Sequence, residues 1–329
     1  MVLNLLYIII GVALVIWGAD RMTDGAASLA RRMHISEMVI GLTIVAAGTS
    51  APELFVSLVS ALKGTPDMAV GNVVGSNIFN AMLIVGCAAM VAPMKISVTT
   101  VKKDIPFAVA ATMLLIGVCL DGFSSFSIAG NTISRLDGII LLAGLAVFMA
   151  YTLRTAKVGG ASAAEPADNT AVVSTTDATA ISVVRCLAYV ALGLVCLVGG
   201  SDLFVDAAAE MARELGVSDG VIGLTIVAGG TSELATSVVA ARKGQSDIAI
   251  GNVIGSNVFN ILAILGITAT ICPMQLSGIT LTDLLVMSGS IMAVWLFSFT
   301  RYTVERWEGA VLTAAFIAYL AYLLSNVMM

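Results

Sequence analysis

Two glutamates, set at matching places in two nearly identical apolar stretches, are the groups in this chain best suited to bind an ion. Residues 39–50 read VIGLTIVAAGTS and residues 221–232 read VIGLTIVAGGTS, with eleven of twelve positions the same. Glu53 follows the first stretch and Glu233 the second. A further shared block, VGNVVGSNIFN at 70–80 and IGNVIGSNVFN at 250–260, adds Ser76, Asn77 and Asn80 in one copy and Ser256, Asn257 and Asn260 in the other. The chain is therefore internally duplicated. An ionisable group within apolar sequence is costly at membrane depth and marks an ion or substrate path. The other polar groups in both copies are hydroxyls, amides and backbone carbonyls, so the donor set is all oxygen. Hard cations take such a set, Ca²⁺ wanting about 6–8 oxygens. Thiolates and imidazoles are absent from the motifs, which argues against Zn²⁺ or Cu⁺. Two carboxylates carry a charge of −2, matching one Ca²⁺ or two Na⁺.

The spacing within each copy has consequences. In Gly48-Thr49-Ser50-Ala51-Pro52-Glu53, Pro52 lacks an N–H and crowds the preceding turn, so the helix should kink or open near Gly48 and release carbonyls from 46–49. Glu53 stands four residues after Thr49 and three after Ser50, so all three can share one helical face. Ser76, Asn77 and Asn80 give a second polar face, and Gly71 and Gly75 allow close helix approach. Any one Ser, Thr or Asn in a membrane helix serves as readily to hold helices together as to bind a ligand; a pair of midspan glutamates in equivalent places does not have that alternative. The second copy runs Thr231-Ser232-Glu233 without two intervening residues, so the offset between copies falls from 182 at Thr49/Thr231 to 180 at Glu53/Glu233. On a regular helix that loss rotates every later residue by about 200°. Thr231 and Glu233 are then expected on different faces, with Glu233 displaced and Ca²⁺ binding weakened unless opened backbone absorbs the change. Asp20, Asp24, Asp202 and Asp206 read as solvated or capping groups at span ends, and Asp67 and Asp247 as caps of the helices they precede.

The elements that must hold these groups are membrane helices. The 329 residues are 59% hydrophobic and 11% charged, with mean hydropathy +1.02, outside the range of soluble domains. Ten apolar stretches can span: 3–28, 37–62, 68–92, 104–120, 135–154, 181–208, 219–241, 247–272, 281–300 and 307–327. Leu3–Trp17 has no basic segment before it and leads into Gly18-Ala19-Asp20, echoed by Gly200-Ser201-Asp202, so it reads as a retained first helix rather than a signal peptide. Residues 155–180 are small and polar, a linker dividing five spans from five. An odd number per half requires opposite insertion of the halves. Thirteen Lys and Arg then fall on one side and three (Lys63, Arg135, Arg213) on the other, which places the linker in the cytoplasm and both termini outside. The expectation is an all-α polytopic protein of ten transmembrane helices as two inverted five-helix repeats: 1–154, the cytoplasmic linker 155–180, and 181–329. The five cysteines read as small buried apolar groups, and His34, the sole histidine, as a solvated loop residue.

The pattern G-T-S-x-P-E followed by G-N-x-x-G-S-N-x-x-N, twice in a five-plus-five chain, resembles the calcium/cation antiporter superfamily of sodium/calcium exchangers, and most its prokaryotic inner-membrane branch. The resemblance covers the chain outside the linker. It implies exchange of Ca²⁺ for Na⁺ by alternating access, with ions held at midplane between the repeats and the protein in the cell inner membrane. It further implies Ala46, Thr49, Ser50, Glu53, Ser76 and Asn80 as ion ligands, with Ala228, Thr231, Ser232, Glu233, Ser256 and Asn260 as counterparts. Some members carry an acid where both copies here have Asn80 and Asn260. The transported ions would be Ca²⁺ and Na⁺, and the lipid bilayer the surrounding partner. No cofactor, nucleic acid or obligate protein partner is indicated. Neither a nucleotide-binding motif nor a nucleophile-base pair occurs, so an enzyme is the least favoured reading. A Ca²⁺/H⁺ or Na⁺/H⁺ antiporter and a passive cation channel are the alternatives; a channel is more often built from subunits around a pore than from an inverted repeat.

Overall fold

Lipid offers no hydrogen-bond partners, so apolar sequence of this length must satisfy its backbone internally, and it does so as helices. The computed structural model describes residues 2–64, 66–120, 131–162, 182–214, 230–276 and 279–328. The helices are α1 (Val2–Met33), the pair α2 (Glu37–Thr49) and α3 (Ala51–Leu62), α4 (Met68–Val91), α5 (Ile105–Cys119, entered through a π-helical turn Thr100–Asp104), α6 (Arg135–Ser162), α7 (Val183–Glu214), α8 (Thr231–Arg242), α9 (Ser246–Ile271), α10 (Leu281–Ser298) and α11 (Arg306–Met328). Among the described residues, seven of these are long and apolar enough to cross a membrane alone, and α2 with α3 makes an eighth, bent span.

Several bounds differ from the sequence reading. Helix α1 runs past the expected end at residue 28 to Met33, so Asp20 and Asp24 lie inside a helix rather than at its end. Both reach Lys243, just beyond α8, whose Nζ is 2.7 Å from Asp20 Oδ1 and 2.7 Å from Asp24 Oδ1. By the sequence duplication their counterparts are Lys63, Asp202 and Asp206, and among the described residues no ion pair joins those. Helix α6 continues to Ser162, so 155–162, expected in the linker, are helical. The rest of the linker, 163–181, and the start of the expected span 219–241 lie outside the described residues. Asp247 is inside the first turn of α9, which Gln245 precedes as the N-cap residue, so it is not the cap.

Sequence reading missed four two-residue strands, too short for any periodicity. Strand β1 (Met94–Lys95) pairs antiparallel with β4 (Thr303–Val304), and β2 (Thr132–Ile133) with β3 (Met274–Gln275). Each pair ties one half of the chain to the other. The inward members Met94, Ile133, Met274 and Val304 are fully buried.

Packing sorts the helices by depth. Helix α9 is buried along nearly all its length and α4 along most of it, whereas α1, α6, α7 and α11 carry exposed Ile9, Val147, Val195 and Ile317, apolar surface of the kind lipid covers. The outer pair α1 and α7 run antiparallel on small residues. A methyl group at Gly18 would stand 2.8 Å from Gly193 O, and one at Gly11 would stand 2.8 Å from Gly200 O, so the backbones touch and no side chain separates them. The polar motifs therefore lie on the enclosed α4 and α9 and on the bent pair and α8 packed against them.

Candidate cation site between the duplicated segments

The bent pair positions the first glutamate. Helix α2 passes through a π-helical stretch, Gly41–Val45, and ends at Thr49. Ser50 turns out of it (φ −84°, ψ 4°), and α3 departs at 44° with Pro52 in its first turn. The break falls at Ser50, two residues beyond the expected Gly48. A proline at the second helical position gives up an N–H that the first turn could not pair anyway. The Ala46 carbonyl is not released: it accepts from Ser50 N–H at 3.0 Å and faces Thr49 Oγ1 at 3.4 Å. A carbonyl has a second lone pair, so this does not remove it as an ion contact.

Glu53 is the third residue of α3 and Glu233 the third residue of α8. Both carboxylates sit in a first helical turn, where the unpaired N–H groups favour negative charge. Glu53 is half-buried and Glu233 is 2% exposed. The two-residue gap in the second copy therefore does not turn Glu233 away. It is Thr231 that leaves. On α8, Glu233, Thr236, Ser237 and Ala240 form one buried stripe. Thr231, Leu234, Ala235 and Val238 form another, lining an apolar cavity of about 370 Å³ with Val12, Val15 and Phe204. By helical position Thr231 and Ser232 stand where Ala51 and Pro52 stand in the first copy, not where Thr49 and Ser50 do. Ser232 keeps a contact with the site, donating from Oγ to Glu233 Oε2 at 2.7 Å.

Thr49 joins the halves. Its hydroxyl lies 3.0 Å from Asn252 Oδ1 and 3.5 Å from Ser256 Oγ. One proton can serve only one of these acceptors at a time. The shared blocks on α4 and α9 meet reciprocally. Asn80 Nδ2 donates to Asn257 Oδ1 and Asn260 Nδ2 to Asn77 Oδ1, each at 3.1 Å. Asn77 Nδ2 donates to Asn257 O at 3.3 Å and Asn257 Nδ2 to Asn77 O at 3.5 Å. A methyl at Gly255 would stand 2.6 Å from Ala46 Cβ, so α9 lies directly on α2. Sequence reading gave no role to Asn72, Asn252, Ser57 and Ser237. Asn72 donates to Ser57 Oγ at 3.0 Å and to Glu53 O at 3.3 Å, and Asn252 to Ser237 Oγ at 3.1 Å. Their recurrence at the 180 offset was the available signal.

Of the expected set, the structure brings together Ala46, Thr49, Ser50, Glu53, Ser76, Asn80, Ser232, Glu233, Ser256 and Asn260, all on the elements meeting here. It sets Thr231 apart, and Ala228 lies outside the described residues. Buried polar atoms are nearly always paired. Among the described residues nine buried side-chain atoms have no hydrogen-bond partner, and three of them, Ser50 Oγ, Glu53 Oε2 and Asn260 Oδ1, belong to the expected set. Among the described residues there is no group of three or more His, Cys, Asp and Glu, so the remaining oxygens come from neutral groups.

Comparison with known proteins places the chain in a family. The profile of the family described as "Sodium/calcium exchanger protein" matches residues 3–154 and 186–325. A protein of Alkalimonas amylolytica named as an antiporter, CaxA, is 37% identical, covering 99% of this chain and all of its own. The inner membrane protein YrbG of Escherichia coli is 32% identical over 98% of this chain and 97% of its own length. The solved sodium-calcium exchanger NCX_Mj superposes with a TM-score of 0.78 at 28% identity, covering 98% of both chains. With its duplicated motifs, its apolar spans and its paired glutamates, the chain belongs to the sodium/calcium exchanger family of membrane antiporters.

Proposed function

We propose that this protein exchanges Ca²⁺ for Na⁺ across the cell inner membrane by alternating access, binding the ions between Glu53 and Glu233. The carrying observation is the set of buried, unpartnered oxygens on Ser50, Glu53 and Asn260, with the buried Glu233 carboxylate in the equivalent place of the second copy. Such a cluster is unfavourable by itself and is relieved by a cation. The ligands in this reading are Glu53, Glu233, Thr49, Ser50, Ser76, Asn80, Ser232, Ser256 and Asn260, with the Ala46 carbonyl. Thr231 is left out, because it faces the apolar cavity. The scaffold is ten helices in two inverted five-helix repeats. The eight described spans support this, as do α5 and α8 as the remaining two and the hydrogen bonds that recur at the 180 offset. Lys and Arg placement supports external termini and a cytoplasmic linker.

Purified protein in liposomes tests the reading. With Na⁺ inside and ⁴⁵Ca²⁺ outside, uptake should follow the outward Na⁺ gradient and stop when a sodium ionophore collapses it. Uptake driven equally by an outward proton gradient without Na⁺ would assign proton coupling instead. Uptake indifferent to both gradients would assign a channel.

A further inference from the structure

The proposed site includes two amides, Asn80 and Asn260, and an amide has two faces. Its carbonyl oxygen attracts a cation, while its NH₂ group, with two donors, repels one. The two ends have nearly the same shape, so packing alone does not fix which end faces the ion. The structure fixes it with hydrogen bonds. Asn260 Nδ2 is held by Asn77 Oδ1, 3.1 Å away on the other half of the chain, and Asn260 Oδ1 is left buried and unpartnered. Asn80 Nδ2 is held the same way by Asn257 Oδ1 at 3.1 Å. The holders are themselves held. Asn77 spends its Nδ2 on Asn257 O at 3.3 Å, with Met287 Sδ at 3.8 Å, and Asn257 spends its Nδ2 on Asn77 O at 3.5 Å. With each donor end committed to a backbone carbonyl, each Oδ1 must face the coordinating amide. All four side chains are at most 5% exposed, so water is not there to substitute.

We infer that Asn77 and Asn257 are positioning residues that set the polarity of the coordinating amides: each acts across the interface, Asn77 on Asn260 and Asn257 on Asn80, so that both present oxygen to the cation. This rests on the exchanger reading and adds to it a pair of residues that need not touch the ion. The arrangement is crossed, so the first half of the chain orients a ligand of the second and the second half a ligand of the first. The chemistry required of the holder is an acceptor at Oδ1, and that requirement separates orientation from packing.

The test compares Asn257→Leu, which keeps the volume and removes the acceptor, with Asn257→Asp, which keeps the acceptor and removes the donor. Asn77→Leu and Asn77→Asp form the mirror pair. Melting temperature without Ca²⁺, Ca²⁺-dependent thermal shift, and the KM and maximal rate of Na⁺-driven ⁴⁵Ca²⁺ uptake are measured for each. The Leu variants should raise the KM for Ca²⁺ at least about tenfold, as expected when a charge-assisted contact worth ~1.5 kcal/mol or more is lost. They should also lose most of the Ca²⁺-dependent shift, with less effect on maximal rate. The Asp variants should keep KM within about threefold of the parent, a factor under ~0.7 kcal/mol. Leu and Asp variants impaired alike, or Leu variants with the parental KM, would overturn the inference. If the Leu variants do not fold, Asp variants with a parental melting temperature but a tenfold higher KM would overturn it as well. Failure of the unsubstituted protein to take up Ca²⁺ under a Na⁺ gradient would defeat the exchanger reading itself, and that is visible before any variant is made.

Discussion

At the scale of single residues, the site divides groups that sequence alone treats as equivalent. Thr49 and Thr231 occupy the same place in two nearly identical strings, yet the Thr49 hydroxyl meets Asn252 and Ser256 of the other half, while Thr231 stands on the face of α8 that lines an apolar cavity. Thr49→Val should therefore weaken Ca²⁺-dependent thermal stabilisation by about tenfold in apparent affinity, the ~1.4 kcal/mol range of a hydrogen bond. Thr231→Val should leave it within about twofold, because Thr231 lies on the cavity face of α8 and not on the face of Glu233; comparable losses in the two variants would place Thr231 in the site after all. Glu53→Gln keeps size and removes charge. Ca²⁺ transport should fall at least about a hundredfold, matching the ~3 kcal/mol or more lost when one partner of a buried charge pair is removed. The melting temperature without ions should hold, since the amide keeps the volume of the carboxylate and removes a buried charge. Gln at 53 with parental ⁴⁵Ca²⁺ flux would make the carboxylate structural.

At the scale of elements, most of what places the site was legible in the residues. The duplication, the two glutamates, the proline break and the apolar spans follow from composition and spacing, because lipid leaves a chain few choices but helix. The register of the second copy was not legible. A two-residue gap can be absorbed on either side of Gly230, and only the fold decides that Glu233 keeps the third position of its helix while the threonine and serine move. Helix ends were also hidden. Asp20 and Asp24 look like terminators, but Lys243 from a distant element accommodates them within α1. The two-residue strands arise from pairing between halves and have no local signature. Close helix contact gives an element-scale prediction. Gly255→Val would drive a methyl group into Ala46 and the Leu42 backbone, separating α9 from α2 at a cost of about 1–3 kcal/mol or more. A detergent melting curve should fall accordingly and Ca²⁺-dependent stabilisation should be lost with it. An unchanged melting temperature would mean the two helices have room to part.

At the scale of the whole molecule, topology carries its own test. In a background without the native cysteines, a cysteine introduced at Ala163 should resist an impermeant thiol reagent added to intact cells and react once the membrane is opened. Rapid labelling from outside would invert the orientation. The charges at the ends of the halves lead further. Lys243 is paired with Asp20 and Asp24, while among the described residues no ion pair joins the counterpart triplet of Lys63, Asp202 and Asp206. Two partly exposed pairs of this kind contribute only about 0.2–1 kcal/mol each, so Lys243→Gln should lower the melting temperature slightly. In the proposed exchange cycle, where the duplicated halves trade roles, the other arrangement is expected to join the second triplet and part the first. A bias of ~1.4 kcal/mol already tips a balance between two arrangements tenfold. On that proposal the two Lys243 pairs together, about 0.4–2 kcal/mol, are of the size that tilts the resting balance toward the arrangement seen here.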